Sequence, residues 1–332
     1  MSQGAERNRA GAGGRKIVEV GVAGGGGDDN SQVGSRTAGG NAAGAGPAGS
    51  DIRSKLDAGA FDGLRTLVLE AGGIDLNLYK DKCVLRRITV RQRSCGAPTL
   101  RAYLKLVRRN PVERGRLIRA LTIHVSQFFR NPSAFRAIRE SVLPAVLAAK
   151  RAEGGQALRF WSVGCASGEE PYSLAILLLE VEAGAVRERS TRIYATDIDQ
   201  ESLNQAKGAR YNARSLANVP SRWRQRYFTP ADERYQVVPE VRSLVIFKAH
   251  NILDALPFRR IDLVACRNVL IYMTEALQER VLVSIHEALN PGGFLILGKV
   301  EGLTGAARDL LEPVDVGERI YRKPGPRPAP HD

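Results

Sequence analysis

Leu158-Arg159-Phe160-Trp161-Ser162-Val163-Gly164-Cys165-Ala166-Ser167-Gly168-Glu169-Glu170-Pro171-Tyr172-Ser173 reads as a strand, a glycine-bearing turn and the opening of a helix. Residues 158–163 form an apolar run of strand length, and 171–181 carry apolar residues at helical spacing. Between them, Gly164 and Gly168 can adopt backbone conformations closed to other residues and let a ligand approach the main chain. Outward from this stretch the same alternation repeats. Strands are predicted at 192–196, 244–248, 261–265 and 293–297, with helices at 200–208 and 275–289. Such alternation argues for an α/β fold, a parallel sheet with helices on both faces. Ligands bind such sheets at the carboxyl ends of the strands, so the loops after Val163, Thr196, Lys248 and Ala265 are the ones to inspect.

The first of these loops is not a phosphate loop. It lacks G-x-G-x-x-G and Gly-Lys-Ser/Thr, and Glu169 and Glu170 stand where a pyrophosphate would be repelled. The two acids are either first-turn residues favoured by the helix dipole or partners of a cationic ligand. In the second loop, Ala195-Thr196-Asp197-Ile198-Asp199, Asp197 is placed to accept both hydroxyl hydrogens of a ribose, although Asp also starts turns and caps helices. With Asn251 in the third loop, the set describes a site for a nucleoside with a cationic amino-acid tail, the shape of S-adenosylmethionine (SAM). The fourth loop, Cys266-Arg267-Asn268-Val269-Leu270-Ile271-Tyr272, offers an amide and a phenol hydroxyl, with core packing as the other reading of Tyr272.

On the amino-terminal side the composition changes twice. Residues 1–50 hold 15 of the 34 glycines and few bulky side chains, which predicts a disordered tail. Residues 51–149 show helical apolar spacing, as in Leu64, Leu67 and Val68 or Leu100, Tyr103, Leu104 and Val107, and predict a small helical domain; 150–332 form the α/β domain. Of the formal net charge of +14, residues 51–150 supply +12, an electrostatic surface suited either to a phosphate backbone or to an acidic protein. Stacking aromatics are scarce there and no nucleic-acid motif occurs, so nucleic acid is not expected as a partner. The 332 residues suffice for a core without staples, and the four cysteines lack C-x-x-C spacing, so no metal is expected. With no apolar run of about 20 residues and no signal-peptide pattern, the expectation is a cytoplasmic protein without membrane insertion.

At this point a resemblance becomes visible. The first-loop stretch, with Ser126-Gln127-Phe128-Phe129-Arg130, Ala195-Thr196-Asp197-Ile198-Asp199, His250-Asn251-Ile252 and Cys266-Arg267-Asn268-Val269-Leu270-Ile271-Tyr272, resembles the chemoreceptor glutamate methyltransferases of the CheR family over residues 55–322. The resemblance implies a helical amino-terminal domain and a Rossmann-like SAM-dependent methyltransferase sheet with a small β insertion near 233–248. By position it implies SAM contacts at Ser126, Arg130, Gly164, Glu170, Asp197, Asn251, Ile252, Arg267 and Asn268, with Arg130 and Tyr272 nearest the transferred methyl as catalytic residues. Three departures stand out: His124, also assigned to the cofactor, replaces a more usual Asn; Ser126 replaces Thr; and Gly298-Lys299-Val300-Glu301 replaces Gly-x-Ser-Glu.

The implied reaction is methyl transfer to glutamate side chains of chemoreceptor cytoplasmic helices, giving γ-methyl esters. Acidic receptor helices would dock on the basic segment, with Lys82, Arg86, Arg87 and Arg93 as substrate-binding residues. The alternative is a CheR-like protein that binds SAM or receptor for regulation without productive transfer, which the Lys299-Val300 change favours. Oligomeric state is not legible in the sequence.

Overall fold

The structure, a computed structural model, describes residues 57–122, 126–154, 157–188 and 191–325, with backbone alone at 183–188. The expected tail over 1–50 and His124 lie outside the described residues. Four helices begin the described chain: α1 (Ala58–Gly72), α2 (Asp81–Ser94), α3 (Leu100–Arg109) and α4 (Pro111–Leu121). Their starts follow local chemistry. Asp57, Thr99 and Asn110 accept hydrogen bonds from Ala60, Ala102 and Glu113 backbone N–H groups, and Pro111 opens α4 where its missing N–H costs nothing. Leu64, Val68, Ile88, Tyr103, Val107 and Leu117 bury completely between them. Inside this core Glu113 receives two bonds from Arg91 and one from the Tyr103 hydroxyl, tying α2, α3 and α4 together.

The helical core ends with α4, earlier than the expected boundary near residue 149. Helices α5 (Pro132–Ala137) and α6 (Leu143–Ala152), joined by a π-helical turn at Ile138–Val142, pack Phe135, Ile138, Leu143 and Leu147 into the core of the sheet. Their apolar stripe has the same period as the preceding helices, and periodicity does not reveal which core a stripe faces.

The sheet has seven strands in the order β6-β2-β1-β7-β8-β10-β9. The parallel part comprises β1 (Arg159–Val163), β2 (Arg192–Asp197), β6 (Val245–Ala249), β7 (Ile261–Cys266) and β8 (Leu289–Leu297). Alternation along central strands serves two cores. Phe160, Leu263, Ala265, Phe294 and Ile296 meet α7 (Glu169–Glu188), while Trp161, Val264, Cys266, Leu295 and Leu297 meet α10 (Glu275–Ala288). Burial on both faces is why these strands read as continuous apolar runs. Helix α8 (Gln200–Gly208) follows β2. The sheet is mixed, not wholly parallel: β10 (Ile320–Arg322) pairs antiparallel with β8, and β9 (Glu312–Asp315) pairs antiparallel with β10 at the sheet edge. Both are too short, at four and three residues, to stand out in the sequence.

The β insertion also differs from its expected place near 233–248. An antiparallel sheet in the order β3-β5-β4 is built from β3 (Arg210–Tyr211), β4 (Phe228–Ala231) and β5 (Arg234–Val237), with α9 (Ser221–Tyr227) between β3 and β4. Only β5 falls inside the expected range, whose far end is β6 of the main sheet. Phe128 seats this small sheet by edge-on contacts with Tyr211 and Phe228 at 4.8 and 4.9 Å. Among the described residues no helix is long and apolar enough to cross a membrane.

Candidate active site

The loops after β1, β2, β6 and β7 converge, and backbone donors with few side chains bind them to one another. Asp197, at the end of β2, is 7% exposed. Its Oδ2 accepts from the Ala166 N–H at 2.8 Å and its Oδ1 from the Asp199 N–H at 3.0 Å. Its carbonyl accepts from the His250 N–H at 3.0 Å, so one residue joins the first three loops. Gly164 holds φ 64°, and a Cβ there would fall 2.6 Å from a methyl of Val269, so the first loop passes directly against the fourth.

Glu170, in the first turn of α7, accepts from Ser162 Oγ at 2.8 Å and from Arg267 Nη1 at 3.3 Å. Burial pushes its carboxyl up from the usual range, against the pull of Arg267 and Ser162. Neighbouring Glu169 is also raised by burial; its partners are the hydroxyls of Ser167 and Ser126. Arg267 is 7% exposed, and both of its terminal nitrogens donate to the protein. Beside the Glu170 bond, Nη2 donates to the Arg130 carbonyl at 2.6 Å and to Asn131 Oδ1 at 3.1 Å, and the guanidinium lies over the Phe135 ring. Arg267 therefore fixes the loop that presents Arg130.

The helical domain closes over the fourth loop. Lys80 N–H donates to the Tyr272 carbonyl, Thr274 N–H to that of Leu78, and Tyr79 bridges Met273. From α2, Arg87 donates to the carbonyls of Ala120 and Leu121, each at 3.0 Å, and its guanidinium lies 4.8 Å from the centre of the Tyr272 ring. Burial raises the Tyr272 hydroxyl above its ordinary range, opposed by the charges of Arg87 and Arg130, so it stays protonated at neutral pH.

Two adjoining cavities result. The first is lined by Asp197, Ile198, Asn251 and Ile252 and, from α2, by Cys83 and Arg87. The second is lined by Ser126, Arg130, Glu170 and Arg267. Gly164, Asn268 and Tyr272 line both. The sequence-predicted residues are thus brought together, His124 apart. Lys82, Arg86 and Arg93 line neither cavity and are exposed on α2. Arg87 departs from its expected place with them: it is partly buried against Tyr272. Successive helix residues point about 100° apart, so Arg86 and Arg87 cannot share a face. Ile74, Leu76, Tyr79 and Cys83 also line the first cavity; the first three lie in the connection between α1 and α2, where no motif marks them.

SAM fits this donor set. The first cavity offers carboxylate and amide acceptors among apolar walls, as a ribose and adenine require, and the second offers the Glu170 carboxylate for an ammonium. Where the two meet, Gly164 stands beside Asn268 and Tyr272. A family model described as CheR methyltransferase, SAM binding domain, matches residues 124–318, and a second, CheR methyltransferase, all-alpha domain, matches 59–122. The chain belongs to the CheR methyltransferase family. Its cofactor is accordingly S-adenosylmethionine.

This CheR chain is 35% identical over 258 residues to "Putative methyltransferase Cher3" of Pseudomonas putida, covering 75% of this chain and 91% of that protein. It is 35% identical over 252 residues to "Chemotaxis protein methyltransferase 1" of Pseudomonas aeruginosa, covering 73% and 90%. An uncharacterized 104.1 kDa protein of Rhodobacter capsulatus is 34% identical over 285 residues, or 83% of this chain, but the chain spans only 30% of that protein's length.

Proposed function

We propose that this CheR chain transfers the methyl group of SAM to glutamate side chains of chemoreceptor cytoplasmic helices, forming γ-methyl esters. The observation that carries the reading is the meeting of the two cavities at Asn268 and Tyr272, with Arg130 lining one and Arg87 the other. This is a cationic mouth for a carboxylate nucleophile. Relatives named chemotaxis protein methyltransferases support it.

SAM supplies an electrophilic methyl group on a sulfonium. In this reading Asp197 and Asn251 hold the nucleoside, Ile198 and Ile252 flank the base, and Glu170, oriented by Arg267 and Ser162, faces the ammonium. Arg130 orients the incoming carboxylate as a charge-assisted donor. A glutamate with pKa near ~4.3 is already ionised at neutral pH, so no general base is required. Tyr272, kept neutral, donates a hydrogen bond that fixes the attacking oxygen in line, and such positioning is worth up to about 7–11 kcal/mol in favourable systems.

Lys299 and Val300, the departure that favours a regulatory binding role, are exposed to solvent and line neither cavity. That weighs for transfer over mere binding. The test is incubation with methyl-labelled SAM and receptor cytoplasmic fragments, scored for base-labile methyl release. Label on receptor glutamates upholds the reading; SAM binding without any labelled receptor overturns it in favour of the regulatory one.

A further inference from the structure

Glu301, in the turn after β8, is 6% exposed, and its carboxylate is ringed by backbone donors. Oε2 accepts from the N–H groups of Asn268 at 2.8 Å and Gly298 at 2.6 Å; Oε1 accepts from those of Leu270 at 2.8 Å and Ile271 at 3.2 Å. Three of these donors belong to the fourth loop. That loop carries Asn268 at φ 61° and ends in the 3-10 turn Leu270–Tyr272. A Cβ on Gly298 would lie 2.6 Å from Glu301 Oε2 and 2.8 Å from Asn268 N, so the approach requires glycine. Lys299 and Val300 between them are exposed, which leaves the arrangement indifferent to their identity.

We propose that Glu301 is a positioning residue for methyl transfer: it clamps the fourth loop so that Asn268 and Tyr272 stand at the shared edge of the two cavities. The inference rests on the role given above to Tyr272 and Asn268. Its chemistry is specific, because every partner is an N–H donor and only a carboxylate offers two acceptor oxygens. In Glu301→Gln, of nearly the same shape, the amide NH2 would point at two backbone N–H groups and leave them unpaired, whichever way it turned.

The test uses the full chain and four variants: Glu301→Gln, Gly298→Ala, Tyr272→Phe and the double variant Glu301→Gln/Tyr272→Phe. Glu180→Gln is the control. Glu180 accepts from Trp223, Tyr227, Arg222 and Arg226, equally many bonds, and lines neither cavity. Glu301→Gln should lower kcat about 10²-fold, the scale of a misplaced reacting group. KM for receptor should stay within about twofold, the signature of an interaction used in the transition state. Gly298→Ala should show the same pattern, which keeps the test open if Glu301→Gln does not fold. Glu180→Gln, at equal or greater loss of melting temperature, should keep kcat. The double variant should fall little below Tyr272→Phe, since both act through one loop. Equal kcat losses in Glu301→Gln and Glu180→Gln at matched melting temperature, or losses that multiply in the double variant, overturn the proposal. Should the wild type methylate no receptor fragment, the functional reading fails by itself and Glu301 is judged by calorimetry. SAM binding about tenfold weaker (~1.4 kcal/mol) in Glu301→Gln and unchanged in Glu180→Gln then upholds the clamp, and equal affinities overturn it.

Discussion

At the scale of single residues, Asp197 carries two tasks on one carboxylate. Each oxygen accepts a loop N–H, and the residue also lines the first cavity, so it braces the first and second loops at the cavity wall. Asp197→Ala should therefore lower the unfolding free energy of the ligand-free protein and weaken SAM binding as well. Hydrogen bonds to a charged group set the scale of the binding loss at about 1.5–3 kcal/mol. Titration calorimetry and denaturant unfolding on the same preparation separate the two. Lost stability with unchanged SAM affinity would leave Asp197 as a brace only. The acid at the strand end was legible in the sequence, whereas its grip on Ala166 and Asp199 was not, because that depends on how two distant turns meet.

At the scale of elements, α2 presents two different basic faces. Its outer face carries Lys82, Arg86 and Arg93, all exposed; its inner face carries Arg87 and Arg91. Reversing Lys82, Arg86 and Arg93 to Glu should raise KM for receptor fragments and leave SAM affinity unchanged, with Arg87 kept because it lines the first cavity. Added salt should weaken the wild type in the same sense, since exposed charges are screened within about 10 Å at 0.1 M. Normal receptor methylation by the triple variant would move the docking surface elsewhere.

Arg91 holds the same helix to α4 through Glu113. Burial by itself would raise the Glu113 carboxyl, but bonds from Arg91, Tyr103 and Cys95 prevail and hold it below its ordinary 4.5. A carboxyl lowered on folding stabilises the protein above its unfolded pKa, and that contribution is lost as pH falls through the folded one. Glu113→Gln should cost about 3–5 kcal/mol at pH 7, the scale for breaking a buried pair. The gap to wild type should narrow steadily below pH 4.5 in denaturant unfolding. A gap independent of pH would mean that the carboxylate charge is not what holds α4.

At the scale of the whole molecule, the first cavity is walled by the helical and sheet domains together, since Cys83, Val84 and Arg87 of α2 line it along with Asp197 and Asn251. Ligand binding should therefore stabilise both. At a SAM concentration of 100 times Kd the gain is about 2.7 kcal/mol. Amide hydrogen exchange should show added protection in α2 as well as in the loop after β1. Protection confined to the sheet domain would show that α2 contributes no binding energy.

The sequence by itself determined the alternation of strand and helix, the glycine turn after β1, the acids at the loop ends, the helical amino-terminal core and the concentration of positive charge. These signals are local: side-chain period, turn chemistry and composition act within a few residues. Tertiary structure alone decided the rest. It assigned α5 and α6 to the sheet core, placed the small sheet over 210–237, added β9 and β10 antiparallel, turned Arg87 inward onto Tyr272 and wrapped the Glu301 carboxylate in backbone donors. Each of these joins segments far apart in the chain through main-chain atoms or the orientation of a helix, and neither depends on residue type in a way that a linear pattern records.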